Sequence, residues 1–369
     1  MVIENEELRA RLHDDLDTFA RREHDLDVHE IEEEQDVPVL VPGLTSSIGA
    51  LWPPDEASFE RIKGIYSNGI VEDKSSLSEI LVQVDAVREG FGDERFTRVS
   101  IRAVVDRDFL ERSLGEDDGL VEHIEAMFSL EGAQEAFRES ALVYFGTNSK
   151  SRNSIEIDRV MENYDAAMNY DFVSPEEVLK RVNDIGYDLM ILEGNPDDNL
   201  VNQVSELYQR FGWAKDQVAE ILANPSNIIA VAQKDGEIVS AGIAEMAEVP
   251  IGDNTLRIVE ITEAATKEEH ARRGLYTAVS TTLLKELAGR SVNAEVFGGK
   301  VDLVYGECNG LAPGVLKTAK VQGRTFAIEN GFNGYLSQHV PIEGEPKITK
   351  FNDLLPAGMT GQKLEEVYA

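Results

Sequence analysis

Cysteine is almost absent from this sequence. Cys308 is the only cysteine among 369 residues, so the chain cannot form an internal disulfide or a cluster of thiolate metal ligands. The six histidines stand singly along the chain, and no pair has the spacing of metal ligands, so we expect no metal site. The sequence also lacks a Walker loop, a His-Glu-x-x-His motif and a Gly-x-Ser-x-Gly motif.

Long apolar runs are missing as well. No stretch approaches the roughly 20 apolar residues that a membrane-spanning helix needs. The first residues, Met-Val-Ile-Glu-Asn-Glu-Glu, lack the basic start and apolar core of a signal peptide. We therefore expect a cytoplasmic protein without a membrane partner.

Positive charge is scarce throughout the chain. Lys and Arg number 35 against 69 Asp and Glu, which gives a net charge of −34 at pH 7. Such a surface repels phosphates, so we expect no nucleic-acid partner. Two explanations of the charge stay open. One is a halophilic protein, because repulsion is screened within about 3 Å at 1 M salt; the other is an ordinary acidic cytosolic protein.

The length of the chain favours two domains with a short additional arm. We predict an acidic helical arm and linker over residues 1–50 and an N-terminal α/β domain of unknown role over 51–185. A second domain is predicted over 186–355, and a C-terminal tail over 356–369.

Local patterns predict individual elements of these domains. Residues 95–105 alternate like a strand with one buried face, and residues 120–128 look helical. Ser174 followed by Pro175 is typical of a helix start. Asp235-Gly236 between two apolar runs predicts a β-hairpin.

The segment over residues 259–284 carries the strongest site signal. A β-rich run ending at Thr266 is followed by a short basic turn with one glycine, Gly274, and then by an amphipathic helix. Such a turn directs backbone N–H groups and the positive end of a helix dipole to one point, which suits a phosphate or pyrophosphate. Arg272 and Arg273 add two positive charges there.

Two runs in this segment carry a resemblance to a known family. Residues 260–266 read Glu-Ile-Thr-Glu-Ala-Ala-Thr, and residues 269–275 read Glu-His-Ala-Arg-Arg-Gly-Leu. Together with the predicted order of elements over 187–345, they resemble the GNAT N-acetyltransferases, and more closely their β-lysine N-acetyltransferase branch. The resemblance implies a GNAT fold with a central mixed, mostly antiparallel sheet, acetyl-CoA as co-substrate and no metal.

The sequence departs from the family pattern at two places. The common turn begins with Arg or Gln and ends with Gly or Ala, whereas this chain has Ala271 and Tyr276 there. Many members also have a tyrosine shortly before a Gly-Phe pair, as the acid for the departing thiolate. Before Gly331-Phe332 this chain has Phe326 near that place, so the general acid stays unassigned.

The resemblance implies a set of donor-binding residues around the strand end and the turn. They are Ala264, Ala265, Thr266, Ala271, Arg272, Arg273, Gly274, Leu275, Tyr276, Thr277 and Asn309.

The acceptor amine must lose a proton before it attacks. An alkylamine has a pKa near 10.4, so a base or a water relay is needed. Glu260 and Glu263 are the candidate catalytic carboxylates, and in a regular strand they point to opposite faces. We prefer Glu260, which lies at the level of the expected thioester, with Glu263 as second choice.

The sequence therefore predicts an N-acetyltransferase acting on a small amine such as a polyamine or a lysine-like amino acid. Tyr305, Cys308 and His339 are further candidates for the pocket wall. Two alternatives stay open: a GNAT-like binding module without turnover, and an unrelated phosphate-binding enzyme with the same turn geometry. A homodimer also stays open.

Overall fold

A computed structural model gives the fold. It describes residues 44–45, 60–66, 68–91, 96–116, 120, 123–148, 157–171, 173–192, 198–209, 215–293, 299–327, 336–342 and 345–369. Nearly all of the predicted acidic arm and the Gly331-Phe332 pair lie outside the described residues, and for Glu263 and His339 only the backbone is described.

The described strands form two sheets. The first sheet contains β1 (Leu44–Thr45), β2 (Glu60–Tyr66), β3 (Phe96–Asp106), β4 (Ile124–Ser129) and β5 (Ser140–Asn148). The second sheet contains β6 (Asp188–Leu192), β7 (Asn227–Lys234), β8 (Glu237–Ile251), β9 (Asn254–Thr266), β10 (Leu303–Asn309), β11 (Thr325–Phe326), β12 (Leu336–Ile342) and β13 (Glu345–Thr360).

Strand order in the second sheet agrees with the predicted fold class. The order is β11-β13-β10-β9-β8-β7-β6, and β12 also pairs with β13. Among these described strands only β9 and β10 pair in parallel. The first sheet has the order β1-β2-β3-β5-β4, with β2 and β3 parallel. The α/β class with a central mixed, mostly antiparallel sheet is confirmed.

Nine described helices accompany the two sheets. They are α1 (Lys74–Phe91), α2 (Arg107–Glu116), α3 (Ile157–Met168), α4 (Pro175–Asp184), α5 (Asp198–Gln209), α6 (Lys215–Ala223), α7 (Leu275–Val292), α8 (Pro313–Val321) and α9 (Gly361–Tyr368). In the described part of the chain, none of them is both long and apolar enough to cross a membrane.

The two sheets pack face to face through one apolar cluster. Phe128 and Leu142 of the first sheet meet Ile258 and Leu303 of the second sheet there. On its other face the first sheet packs against α1 and α2. The second sheet packs its other face against α4, α7 and α9 near its centre, and against α3 and α8 beside β10.

A buried carboxylate also joins the two sheets. Asp302 is 1% exposed, and it accepts hydrogen bonds of 2.9 Å from the backbone and side-chain nitrogens of Gln134 and one of 2.8 Å from the Arg257 N–H. Burial raises the pKa of Asp302, and the hydrogen bonds from Arg257 and Gln134 oppose this shift. The loop before β10 is therefore fixed to the first sheet next to the parallel strand pair.

Two sequence predictions for the first sheet are wrong. Residues 101–105 of β3 are buried on both faces, not on one, because the second sheet covers the face that was expected to meet solvent. Residues 124–129 form the strand β4 where a helix was predicted. Ala126 and Phe128 pack against the second sheet, so packing between the sheets decides the strand.

The packing also differs from the predicted domain limits. Helices α3 and α4 precede residue 186, yet they pack on the second sheet through Val160 and Val182. Residues 356–369, predicted as a tail, form the end of β13 and the helix α9. A Cβ at Gly361 would lie 1.6 Å from the Val301 carbonyl oxygen, so only glycine fits at this start of α9.

Candidate active site

The parallel strands β9 and β10 part in the middle of the second sheet. Their pairing runs from Leu303 opposite Ile258 to Tyr305 opposite Glu260. Both strands then continue, β9 to Thr266 and β10 to Asn309, without a further pair between them. Backbone groups on the facing edges of the two strands can therefore hydrogen-bond a ligand that lies between them.

Strand β9 carries a β-bulge just beyond the point of parting. Ala241 of β8 pairs with Ala265, and Ile243 pairs with Thr262, so two steps on β8 correspond to three on β9. Glu263 and Ala264 lie in the bulge, and the regular alternation that put Glu260 and Glu263 on opposite faces does not run through it. Because the Glu263 side chain lies outside the described part, its role stays a prediction.

The strand end at the bulge is held in place by β8. The Ser240 hydroxyl donates a hydrogen bond of 2.9 Å to the Ala265 carbonyl and shares one of 2.8 Å with the Thr266 hydroxyl. These two predicted donor-binding residues therefore have local partners on that side.

The predicted turn leads into α7 with the expected backbone shape. Arg272 and Gly274 both have positive φ, +61° and +81°, and residues 271–274 are exposed. Gly274 caps α7 without any side-chain hydrogen bond, and the first turn contains no acidic residue. The first N–H groups of a helix have no partner within it, so those of residues 275–277 suit an anion.

The guanidinium of Arg273 is hydrogen-bonded to the protein itself. Its Nη1 donates to the Tyr187 hydroxyl at 2.8 Å and its Nη2 to the Glu269 carbonyl at 3.0 Å. The Tyr187 hydroxyl also contacts His270 Nδ1 at 2.8 Å. Arg273 therefore holds the turn on the body of the second sheet, a contact that the sequence does not reveal.

Two further predicted donor-binding side chains take part in local packing. The hydroxyls of Thr277 and Thr318 share a hydrogen bond of 2.6 Å that joins α7 to α8. Asn309 Oδ1 accepts a hydrogen bond of 2.9 Å from the Leu311 N–H, and this bond stabilises the turn after β10. Tyr276 is largely buried, and burial raises the pKa of its hydroxyl.

Glu260 is buried where the strands part, on the face that meets the first sheet. It is 7% exposed, and its Oε2 accepts a hydrogen bond of 2.8 Å from the Tyr305 hydroxyl. Arg102 Nη1, from β3, donates to the same hydroxyl at 2.6 Å. Arg102 Nη2 also lies 3.7 Å from Glu307 Oε1. One arginine of the first sheet thus lies beside one carboxylate of the second sheet, and the Tyr305 hydroxyl links it to another.

Arg102 is enclosed on all sides. It is 1% exposed, and its guanidinium carbon lies 4.5 Å from the ring centre of Tyr144 and 5.1 Å from that of Tyr305. Burial alone lowers the pKa of Arg102, but the tyrosine oxygens and the carboxylates of Glu260 and Glu307 outweigh it and raise the pKa. Burial also raises the pKa of Tyr305, so this hydroxyl stays protonated and can donate.

Sequence reasoning missed three residues of this region: Arg102, Glu307 and Arg324. Arg102 lies on a strand face that alternation assigns to solvent, and Glu307 is one of many carboxylates in an acidic chain. Arg324 follows Gly323, which has φ +74° and ends the turn after α8. Phe326 lies on β11 and packs in an apolar cluster with Tyr164 and Cys308, and the general acid stays unassigned.

The other predicted pocket residues lie around the same strands. Tyr305 and Cys308 are on β10, and His339 is on β12, whose side chains lie outside the described part. Burial raises the pKa of Cys308 to about 11. Across the described residues, no three His, Cys, Asp or Glu side chains are grouped so that they could hold a metal ion.

Comparison with known proteins gives similarity at the level of solved structures. No family model matches the chain, and no curated protein matches it. The Escherichia coli ribosomal-protein-S18-alanine N-acetyltransferase is similar at 14% identity and a TM-score of 0.34, over 47% of this chain and 94% of that one. NAA60 of Arabidopsis thaliana, in complex with a bisubstrate analogue, has 13% identity and a TM-score of 0.35, over 47% and 98%.

A third similar structure is an aminoglycoside 6'-acetyltransferase of type Ii. It has 21% identity and a TM-score of 0.31, and the match covers 46% of this chain and 96% of that one. At these identities and TM-scores the similarity assigns no residue and no substrate to this chain.

Proposed function

We propose that the protein is an acyl-CoA-dependent N-acetyltransferase that transfers an acetyl group to a small amine. The parting of β9 and β10 beside the start of α7, where the N-cap Gly274 makes no side-chain hydrogen bond, carries this proposal. A cleft between two strands suits an extended amide-containing arm, and a helix start at its end suits a pyrophosphate.

The donor side uses backbone groups for most of its contacts. Acetyl-CoA supplies the activated acetyl thioester when it is bound. The N–H groups of residues 275–277 and the exposed Arg272 hold its pyrophosphate in this proposal. Ala264, at the bulge, presents backbone groups to the thioester, as the resemblance implies, and Asn309 borders the arm from β10. Arg273 supports the turn and leaves direct charge pairing to Arg272.

The acceptor side is acidic and faces the first sheet. Glu260 and Glu307 lie around one guanidinium, that of Arg102, so the place between them suits a cation. We propose that an ammonium group approaches there and that Glu260 accepts its proton, directly or through water. A polyamine or a lysine-like amino acid has the required charge, and the β-lysine branch remains part of this proposal.

The position of Arg102 favours a second candidate function. Because it fills the space beside Glu260, the first sheet closes the acceptor side in this structure. A GNAT-like module that binds coenzyme A but does not turn over would have this arrangement permanently. An active enzyme needs Arg102 to leave room for the amine or to line the acceptor pocket.

One experiment separates these candidates. The full chain is mixed with acetyl-CoA and a panel of polyamines, diamino acids and aminoglycosides, and the products are analysed by mass spectrometry. Acetylation of one amine, lost in Glu260→Gln, is the expected result. Coenzyme A binding without product from any amine would favour the non-catalytic module, and no coenzyme A binding would exclude both. The cytoplasmic location, the adaptation to high salt and a homodimer stay predictions.

A further inference from the structure

Arg324 is a buried cation with unused hydrogen-bond donors. Its residue is 6% exposed, and in the described part of the chain neither its Nε nor its Nη2 has a hydrogen-bond partner. A buried guanidinium is unfavourable unless an anion or other acceptor takes its N–H groups. These N–H groups can donate to an acceptor that arrives with a ligand.

The guanidinium lies where β9 and β10 part. Gly306 is the first residue of β10 after the last pair with β9. A Cβ at Gly306 would lie 2.9 Å from Arg324 Nη1 and 2.8 Å from the Ile261 carbonyl oxygen. Only a glycine lets the guanidinium and the neighbouring strand approach β10 this closely. Arg324 thus sits at the inner end of the proposed donor cleft.

Groups on α7 and β10 experience the charge of Arg324. Burial raises the pKa of Tyr276 in the first turn of α7, and the charge of Arg324 acts against that rise. The same two influences act on Cys308 of β10. The guanidinium therefore lies between the helix start and the strand that together border the cleft.

We propose that Arg324 binds the sulfur of coenzyme A as the acetyl group leaves it. This inference rests on the proposed function. The amine nitrogen bonds to the thioester carbonyl carbon, the C–S bond breaks, and its electron pair remains on the sulfur. Arginine does not deprotonate in proteins, so Arg324 stabilises the thiolate by charge and hydrogen bonds. The proton of the amine goes to Glu260 or water.

This role accounts for the missing tyrosine acid. A thiol of the cysteine type has a pKa near 8.5, so a fixed cation next to the sulfur lets it leave as thiolate near neutral pH without a proton donor. Arg324 is then a catalytic residue of the proposed reaction, although neither the turn nor the Gly-Phe pair of the sequence pointed to it.

The test compares coenzyme A with desulfo-coenzyme A, which lacks the sulfur. Calorimetry on the full chain at pH 9 should show that the parent binds coenzyme A about tenfold to a hundredfold more tightly than desulfo-coenzyme A, the range expected for hydrogen bonds to a charged group. Arg324→Met and Arg324→Gln should lose this preference while they keep the affinity for desulfo-coenzyme A. Arg290→Met, which removes a charge paired with Glu286 on α7, should keep it.

Each outcome decides the inference. A folded neutral variant of Arg324 that retains the preference would overturn it, and so would an equal loss of affinity for both ligands, because the residue would then shape the cleft and not bind sulfur. If the parent binds neither ligand, the proposed function itself fails. In turnover, the variants should lower kcat more than they raise KM for the acetyl donor.

Discussion

Two arginines are buried on opposite faces of β10, and their surroundings differ. Arg102 reaches the face of Tyr305 and Glu307, where a hydroxyl, two aromatic rings and two carboxylates surround it. Arg324 lies against Gly306 on the face toward α7 and α8. In the described part of the chain, Nε and Nη2 lack a hydrogen-bond partner in both arginines, but only Arg102 has a carboxylate within 4 Å of its Nη2. We infer that the protein itself neutralises the charge of Arg102, whereas a ligand neutralises that of Arg324.

The difference follows from what covers each face. The first sheet is a permanent neighbour of the second, so a charge between them must be neutralised by the protein itself. The face toward α7 and α8 borders the cleft where β9 and β10 part, and a ligand can complete its interactions there. We infer that the acceptor side of the proposed site is closed by protein, whereas the donor side is closed by the donor.

The largest expected effect is on turnover through Glu260. Glu260→Gln keeps the shape of the side chain but removes the base, so we expect the rate to fall about 10²–10⁴-fold. Coenzyme A affinity should stay close to that of the parent, because the helix start lies beyond the strand end. Steady-state kinetics between pH 7 and 10 should show partial recovery at high pH, where more of the amine is neutral.

Glu263→Gln is the matched control for this prediction. It lies in the bulge of the same strand, and we expect nearly parental rates. An inactive Glu263→Gln together with an active Glu260→Gln would assign the base to Glu263. If both variants are active, neither carboxylate is the base.

Arg102 should matter most for stability. Arg102→Met removes a buried cation that interacts with the carboxylates of Glu260 and Glu307, so we expect a loss of about 3–5 kcal/mol in the free energy of unfolding. Urea denaturation measures it. Arg107→Met removes a half-exposed arginine 3.8 Å from Glu131 and should change stability by less than about 1 kcal/mol. Equal effects of the two substitutions would contradict a special role for the buried charge.

Cys308, on the same face as Arg324, should make stability depend on alkaline pH. Burial raises the pKa of Cys308 from 9.0 to about 11 in the folded protein. Between these values the unfolded chain loses the thiol proton and the folded chain keeps it, so stability is present below pH 9 and is lost as pH rises toward 11. The contribution is about 3 kcal/mol at most, at about 1.4 kcal/mol for each pH unit.

The difference in stability between the parent and Cys308→Ala isolates this effect from the tyrosines that titrate in the same pH range. Cys308→Ala should be less stable than the parent at pH 8, and the gap should narrow by pH 11. A gap that stays constant over this range would show that the thiol ionises normally in the folded chain.

The smallest expected effect concerns the turn before α7. Gly274→Val should weaken coenzyme A binding about tenfold, because a side chain at this left-handed position blocks close approach of the pyrophosphate. Gly236→Val has the same backbone problem at φ +86° in the β7–β8 hairpin, so both variants should lose about 1–2 kcal/mol of stability. Calorimetry should show that only Gly274→Val loses affinity for coenzyme A. If both variants bind coenzyme A equally well, the pyrophosphate binds elsewhere.

Local sequence signals predicted the fold better than they predicted the site. Ser174 caps α4 as expected, accepting a hydrogen bond of 3.2 Å from the Glu177 N–H. Asp235 and Gly236 form the hairpin turn with φ +52° and +86°. The helix cap and the hairpin turn each depend on neighbours within a few residues, so a short stretch of sequence is enough to predict them.

The two buried arginines depend on contacts far apart in sequence. Arg102 contacts Tyr305, which lies 203 positions later in the sequence. Arg324 lies next to Gly306, at the place where β9 and β10 part. The helix predicted over residues 120–128 failed for the same reason, since packing against the second sheet determines β4. Alternation of apolar and polar residues predicts a strand with two different faces. It does not predict which element will cover the face that carries the polar residues.

Strand β13 has a consequence for how the chain folds. It follows every other described strand in sequence, yet it lies inside the second sheet, paired with β10 on one side and with β11 and β12 on the other. During synthesis, one edge of β10 therefore stays unpaired until residues 345–360 have left the ribosome. We expect the first sheet to form early and the second to close late, which makes the nascent chain prone to aggregation at that edge.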